Sequence, residues 1–521
     1  MIVRFRPFFR EARTNFLTCF SNRPTGLDGA NFKTSEHVMQ NDIHDQVIEA
    51  AGNTTATSTS PAQIEATDYA ADHPILQSEN HAETDFLTHS RVREGNKVVH
   101  LPSGITSYAK RWELLEKAQH SIHIVAFSLM RDKTSFRLRD LLLKKLSEGV
   151  KVRLIFDDGV MLSTFSGGIV KTLEKAGAGT VRYHKFFRGW FPKWREGHPF
   201  RQIARTAKFK LKRHFHEKYL IVDGREAILG GLNWGDKYAL GGIKPKAWRD
   251  SDAYISGPVV ADIQKQFVKD FFRYKAMNEE TDDGPQREAA FMREEGSEYF
   301  PYLPKTGDEE IRYVAHKPYD DNELTMTDAF LQLIREAKRY IYWGCHGIRP
   351  PRILAEALAE AAARGVEIRL ITNSKRASKT LMLGGLLGWM YWESSNHFRW
   401  LIERGIRVFE WQKPGAFHAK NIVIDGVFAS VGSYNIARGS ALHHSESNIF
   451  VYGGDFPANV RDQFELDLRD CKEVTLETAK KVRKRFDPFR RILHERNLLL
   501  KDYLLTPAVR ADLHAGKFKT M

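Results

Sequence analysis

HEKYLIVDGREAILGGLN at 216–233 and HAKNIVIDGVFASVGSYN at 418–435 are the same string written twice. Each runs His-x-Lys, four residues, Asp, six residues, then Gly-[Gly/Ser]-x-Asn. The first copy places His216, Lys218, Asp223, Gly230, Gly231 and Asn233. The second places His418, Lys420, Asp425, Gly432, Ser433 and Asn435 at identical spacing. Alternating apolar residues after each lysine predict strands. On a strand, His and Lys two apart share a face, about 6.5–7 Å apart along it. The Asp, five residues beyond the Lys, has the opposite parity and suits a brace at the strand end.

The repetition extends outward from these strings. RWELLEKAQHSIHIV (111–125) and DAFLQLIREAKRYIY (328–342) each predict a helix running into a β-branched strand. LLLKKLSEGVKVRLIFDD (141–158) and ALAEAAARGVEIRLITN (357–373) each predict a second helix and a buried strand. Gly149 and Gly365 suit the left-handed residue that ends those helices. Beyond the motifs, 255–270 and 451–467 each contain QFxxD after an apolar strand and a glycine. A repeat of about 200 residues is too long for a solenoid. It predicts a duplicated α/β domain, with mixed, largely parallel sheets flanked by helices and pseudo-twofold symmetry between the copies. The expected division is a largely disordered extension over 1–94, domains over 95–300 and 301–470, and a basic helical tail over 471–521.

These residue types suit attack on a phosphodiester. Its anionic oxygens must be neutralised before a nucleophile can approach. Two lysines, aided by Asn233, Ser433 and Asn435, supply preorganised donors for the transition state. One imidazole can attack phosphorus and form a phosphohistidine. The other can protonate the leaving alkoxide and then deprotonate the incoming alcohol or water. A catalytic histidine also needs a partner for its second ring nitrogen. Glu446 follows His418 by 28 residues, and matching Gly453 with Gly257 puts Asp250 at the equivalent place. The repeat thus nominates Asp250 and Glu446 as paired histidine-orienting acids. A lysine beside each His disfavours a metal site, and no metal or cofactor is expected.

The two strings resemble the HKD motif, HxKx4D followed by GSxN, of the phospholipase D superfamily. Within it the chain is most similar to bacterial cardiolipin synthases of the non-spanning kind, over roughly 95–470. The resemblance implies a metal-independent, two-step phosphatidyl transfer in one active site between the domains. It implies a catalytic set of His216, Lys218, Asp223, His418, Lys420 and Asp425, with His216 as nucleophile and His418 as acid/base. Gly231 departs from the family's Ser, which puts one hydroxyl donor in doubt. The expected substrate is phosphatidylglycerol or a similar phospholipid, with an alcohol acceptor. Hydrolysis, a secreted effector, a nuclease of the same superfamily and a membrane-binding scaffold with a vestigial site stay open as alternatives.

Composition agrees with an anionic partner. The chain of 521 residues has net charge +14, yet residues 1–90 hold six basic and twelve acidic residues, so the remaining 431 carry +20. Such a body favours an anionic partner, a phospholipid surface or nucleic acid, and charge alone does not choose between them. Three cysteines, Cys19, Cys345 and Cys471, lie far apart and form no disulfide framework. Cys345–His346 reads as a strand end rather than a thiol site. No run reaches the roughly 18–20 apolar residues of a membrane span. KFFRGWFPKW (185–194) and LMLGGLLGWMYW (381–392) instead suit interfacial docking. The expected location is the inner face of the cell membrane, bound peripherally from the cytoplasm, with secretion left open.

Overall fold

A computed structural model describes residues 72–160, 166–183, 213–318, 320–321, 323–378 and 388–484. The segment 185–194 and most of 381–392 lie outside the described residues, as does the chain before 72 and after 484.

The first half contains β1 (Arg93–Leu101), β2 (Ser121–Ala126), β3 (Lys151–Asp157), β4 (Gly179–Tyr183), β5 (His214–Phe215), β6 (Tyr219–Val222), β7 (Glu226–Gly230) and β8 (Asp252–Ser256). The second contains β9 (Glu309–His316), β10 (Tyr340–Gly344), β11 (Glu367–Asn373), β12 (Arg407–Trp411), β13 (Asn421–Ile424), β14 (Phe428–Gly432), β15 (His444–Tyr452) and β16 (Cys471–Glu473). The order β1-β8-β7-β6-β2-β3-β4 in one half is matched by β9-β15-β14-β13-β10-β11-β12 in the other. β1 and β9 pair antiparallel and join both sets into one mixed sheet. The duplication expected from the repeat is therefore a symmetric strand order about the β1–β9 seam.

The sheet is less parallel than expected. β2–β3–β4 and β10–β11–β12 run parallel, linked by helical crossovers. The motif strands run antiparallel to their neighbours. The reason is local: Asp223-Gly224 and Asp425-Gly426 all have positive φ, between 53° and 78°, and close hairpins of type I′. The helix ends follow the reading, with Gly149 and Gly365 at φ 90° and 95°. The Ser103 hydroxyl accepts from the Thr106 N–H at 3.3 Å and starts the helix Gly104–Lys117.

Burial on both faces explains the apolar strands. Ile122, Ile124 and Ala126 pack with the helices of the first half, whereas Val125 joins a cluster shared with Phe417, Val423 and Ile449 of the second. A third cluster, around Ile341, Trp343 and Leu370, fills the second half.

Residues 72–94 depart from the extension expected over 1–94. Ile75 is buried in the second half's core, and the helix Ser78–Thr88 packs there through Thr84, whose hydroxyl donates to Gln332 at 2.9 Å. Ile75 is the fully buried anchor, with Leu76 and Val92 packed beside the same core, and three apolar residues in a polar stretch are too sparse to register as a pattern. His73 reaches Asp425 at 2.8 Å.

Asp425 also accepts backbone N–H groups of Lys338, Arg339 and Tyr340 at 2.6–2.8 Å. Burial pushes its carboxyl up, but His73 and these N–H groups outweigh that and hold it below the usual range. A depressed carboxyl contributes stability above the unfolded pKa and loses it as pH falls through the folded value. Asp425→Ala is expected to cost about 2–4 kcal/mol near neutrality. Urea unfolding checks this, and the difference from wild type should shrink below about pH 4.

Candidate active site

Both His-x-Lys segments lie just before their strands, not within them. β5 pairs in parallel with the start of β15, and the His216 N–H donates to the Ser445 carbonyl at 2.9 Å. In the mirror arrangement, the His418 N–H donates to the Arg249 carbonyl at 2.7 Å. Each segment is thus docked on the acid-bearing strand of the opposite half.

This docking pairs the acids crosswise. Glu446 of the second half holds His216 Nδ1 at 2.8 Å, and Asp250 of the first holds His418 Nδ1 at 2.5 Å. Both carboxylates are completely buried, and both imidazoles are 7% exposed. Nδ1 is engaged in each ring, which leaves Nε2 for chemistry. Lys218 and Lys420 curl back, each donating to the carbonyl of its own motif's histidine. The two half-sites share one electrostatic field: His418 is influenced by Lys218 and His216, and Lys218 by Lys420, Glu446 and Asp250.

Burial sets the protonation states. It drives His216 down to about 3 despite the opposing charge of Glu446. It drives His418 well below the usual imidazole range, with both lysines reinforcing the shift. Lys218 falls to about 7 for the same reason, and Lys420 is lowered as well. The acids differ. Burial would raise Glu446, but His216 and His444 hold it well below the ordinary value, whereas burial prevails at Asp250 and raises it.

The walls obey the pseudo-symmetry with a swap. Phe127 meets the His216 ring edge-on at 4.7 Å, and its counterpart His346 meets His418 at 5.4 Å. Trp248 lies 5.1 Å from the His418 ring, and its counterpart His444 lies 5.6 Å from His216. Each reactive imidazole therefore has a further imidazole beside it, and His418 meets the Tyr238 ring at 5.6 Å as well as Trp248. None of these five was singled out for the site, although Trp248 and His444 each stand two residues before an orienting acid. The nitrogen and oxygen atoms of His216, His444 and Glu446 lie within 4.8 Å of one another and could hold a cation. The His216–Glu446 hydrogen bond and the nearby Lys218 charge use that set differently.

Other nominated residues support the site from outside. Asp223 accepts from the backbone N–H groups of Gln119, His120 and Ser121 at 2.7–2.9 Å, so it is a strand-end brace like Asp425. Asn233 accepts from Ser128 N–H and donates to the Tyr238 hydroxyl, both at 3.0 Å. Ser433 Oγ accepts from Ser447 N–H at 2.9 Å. Asn435 accepts a long contact from the Cys345 thiol at 3.5 Å, and burial raises that thiol's pKa.

Gly231 has a steric reason. The Asp250 Oδ1 accepts from Ser251 N–H at 2.9 Å, and a Cβ at 231 would strike that oxygen. In the other half the longer Glu446 leaves Ser433 Oγ to cap the matching N–H of Ser447. Glycine with Asp and serine with Glu are two solutions to one packing problem.

The fold and the site define a duplicated α/β protein whose two His-x-Lys half-sites are tied together by crosswise His–acid pairs. The family model described as "Cardiolipin synthase, PLD-like domain" matches residues 112–271 and 330–468. The chain belongs to this family. It is similar to the cardiolipin synthase of Oceanobacillus iheyensis, with 28% identity over 73% of this chain and 71% of the relative. It is also similar to cardiolipin synthase 2 of Bacillus anthracis, with 27% identity over 78% and 73%. Among solved structures, phosphatidylserine synthase of Haemophilus influenzae shares the fold, with TM-score 0.61 and 13% identity over 82% of this chain and 99% of that one.

Two measurements check the site. Gly231→Ser is expected to lower kcat/KM at least about tenfold by displacing Asp250, and adding Asp250→Glu should restore part of it. The kcat/KM profile should fall as pH rises through about 7, where Lys218 loses its charge. Since the imidazole of His216 is neutral far below its ordinary pKa, no acid limb should appear near 6.5.

Proposed function

We propose that this enzyme transfers a phosphatidyl group from phosphatidylglycerol, or a phospholipid like it, to the hydroxyl of a second lipid alcohol, as a cardiolipin synthase does. The observation that carries the reading is the crosswise pairing of His216 with Glu446 and His418 with Asp250 inside a family built on that reaction.

In the first step His216 Nε2 attacks phosphorus and the P–O bond to the head group breaks. The phosphodiester anion offsets the burial and lysine charge that keep the His418 ring neutral, and the imidazolium it allows gives its proton to the departing alkoxide. Glu446, held ionised, balances the positive charge that develops on the His216 ring. That asymmetry supports His216 as nucleophile, since Asp250 is pushed toward neutrality beside His418. Lys218 and Lys420 supply charge to the phosphoryl oxygens. In the second step the acceptor hydroxyl loses its proton to His418, its oxygen bonds to phosphorus, and the N–P bond breaks. No helix among the described residues is long and apolar enough to cross a membrane. We place the enzyme on an anionic phospholipid surface, which fits the basic body of the chain, at the inner face of the cell membrane. The domains are taken as 95–300 and 301–470, each carrying one motif.

Mass spectrometry of products from phosphatidylglycerol vesicles tests the reading. Cardiolipin should form with the wild type, should survive EDTA, and should disappear with His216→Ala and with His418→Ala. Phosphatidic acid alone would make the enzyme a hydrolase, and substantial turnover by either variant would end the two-histidine mechanism.

A further inference from the structure

One cation beside the site makes no ion pair among the described residues. Lys237 lies in the short helix Asp236–Ala239, four residues beyond Asn233. Its ammonium sits 3.8 Å over the Trp248 ring, and that ring lies 5.1 Å from the ring of His418. Burial lowers its pKa to about 8, with the charge of Asp132 opposing. Yet Asp132 is committed elsewhere, accepting the N–H groups of Asp236 at 2.8 Å and Ser135 at 3.2 Å. Among the described residues no carboxylate lies within ion-pair distance of Lys237. The indole face offsets part of the desolvation cost, but a face is not a counter-ion.

The other half of the site is built differently at the matching place. The position matching Lys237, four residues beyond Asn435, is Gly439, packed against the His444 ring. The cation found on that side, Arg349, is neutralised by Glu393 at 2.6 Å.

We infer that Lys237 binds the phosphate of the acceptor phospholipid and so selects acceptors that carry one. The inference rests on the proposed transfer reaction. There His418 deprotonates the acceptor hydroxyl, so the acceptor enters on the Lys237 side. Lys218 and Lys420 are occupied with the phosphate under attack. The phosphate of a phosphatidylglycerol acceptor follows one glycerol bridge, six covalent bonds from the phosphorus it will join. Lys237 stands one indole ring away from His418, at the place such a group would reach. An ammonium acting as a point charge suits that role, because it recognises the phosphate without dictating the rest of the lipid.

The test offers phosphatidylglycerol vesicles equal concentrations of deuterated glycerol and deuterated glycerophosphoglycerol, and mass spectrometry reads the ratio of the two transfer products. Lys237→Gln should lower the ratio of phosphate-bearing to neutral product about tenfold, while Lys237→Arg should keep it near the wild-type value. Inorganic phosphate added to the wild type should suppress transfer to glycerophosphoglycerol more than transfer to glycerol, and Lys237→Gln should lose that difference. An unchanged ratio in Lys237→Gln, or equal losses with both acceptors, would overturn the assignment, since a packing role would depress both alike. A wild type that forms neither product and no cardiolipin from the vesicle lipid would remove the transfer reading and this inference with it, a result distinct from an unchanged ratio.

Discussion

The site depends on two backbone hydrogen bonds, from His216 N–H to Ser445 and from His418 N–H to Arg249. Each fastens a motif segment of one half to the acid-bearing strand of the other. Without that exchange, neither imidazole would have a carboxylate on Nδ1, and the completely buried Asp250 and Glu446 would lack their imidazole partners. Buried ions are costly unless paired and hydrogen-bonded. The halves are therefore held together by the same contacts that orient the reactive groups, and an intact interface is a condition for a competent site.

The cost of collecting charge is managed around the site. Behind His216, Lys317 joins Glu217 and stands 2.9 Å from Asp270, a fully buried triad that spans the junction of the halves. Burial and the neighbouring Asp270 push Glu217 up to about 8, although Lys317 opposes them. The two motif lysines are lowered by desolvation, which measures how strongly the buried site resists positive charge. A phosphodiester anion relieves that resistance, so substrate charge and site charge stabilise one another.

Symmetry arranges the site and asymmetry assigns roles within it. Strand order, hairpins, motif docking and orienting acids all recur. What differs is Asp250 with Gly231 against Glu446 with Ser433, Trp248 against His444, and Lys237 against Gly439. A two-step transfer needs one nucleophile and one acid/base, so two identical half-sites would be a poor fit to it. The differences sit within the immediate surroundings of the two imidazoles, where a change of one methylene or one charge alters protonation most.

The sequence by itself determined the duplicated α/β fold, the two motifs and the paired acids, because those rest on exact repetition and on short-range periodicity. Asp-Gly after each motif strand also carried the hairpin signal, although the alternating residues alone did not disclose the antiparallel neighbours. Only the tertiary structure decided that the acids serve the opposite half, since spacing cannot say which strand a segment docks against. It also decided that Asn233 and Ser433 secure the scaffold, and that Phe127, His346, Trp248 and His444 wall the site, whereas the parity of Asp223 and Asp425 already suited a strand-end brace. Those outcomes depend on residues of different elements meeting in space, and no local pattern encodes such a meeting. The ordering of residues 72–94 has the same origin: His73 and Ile75 gain their meaning from Asp425 and the core of the second half, which lie far along the chain.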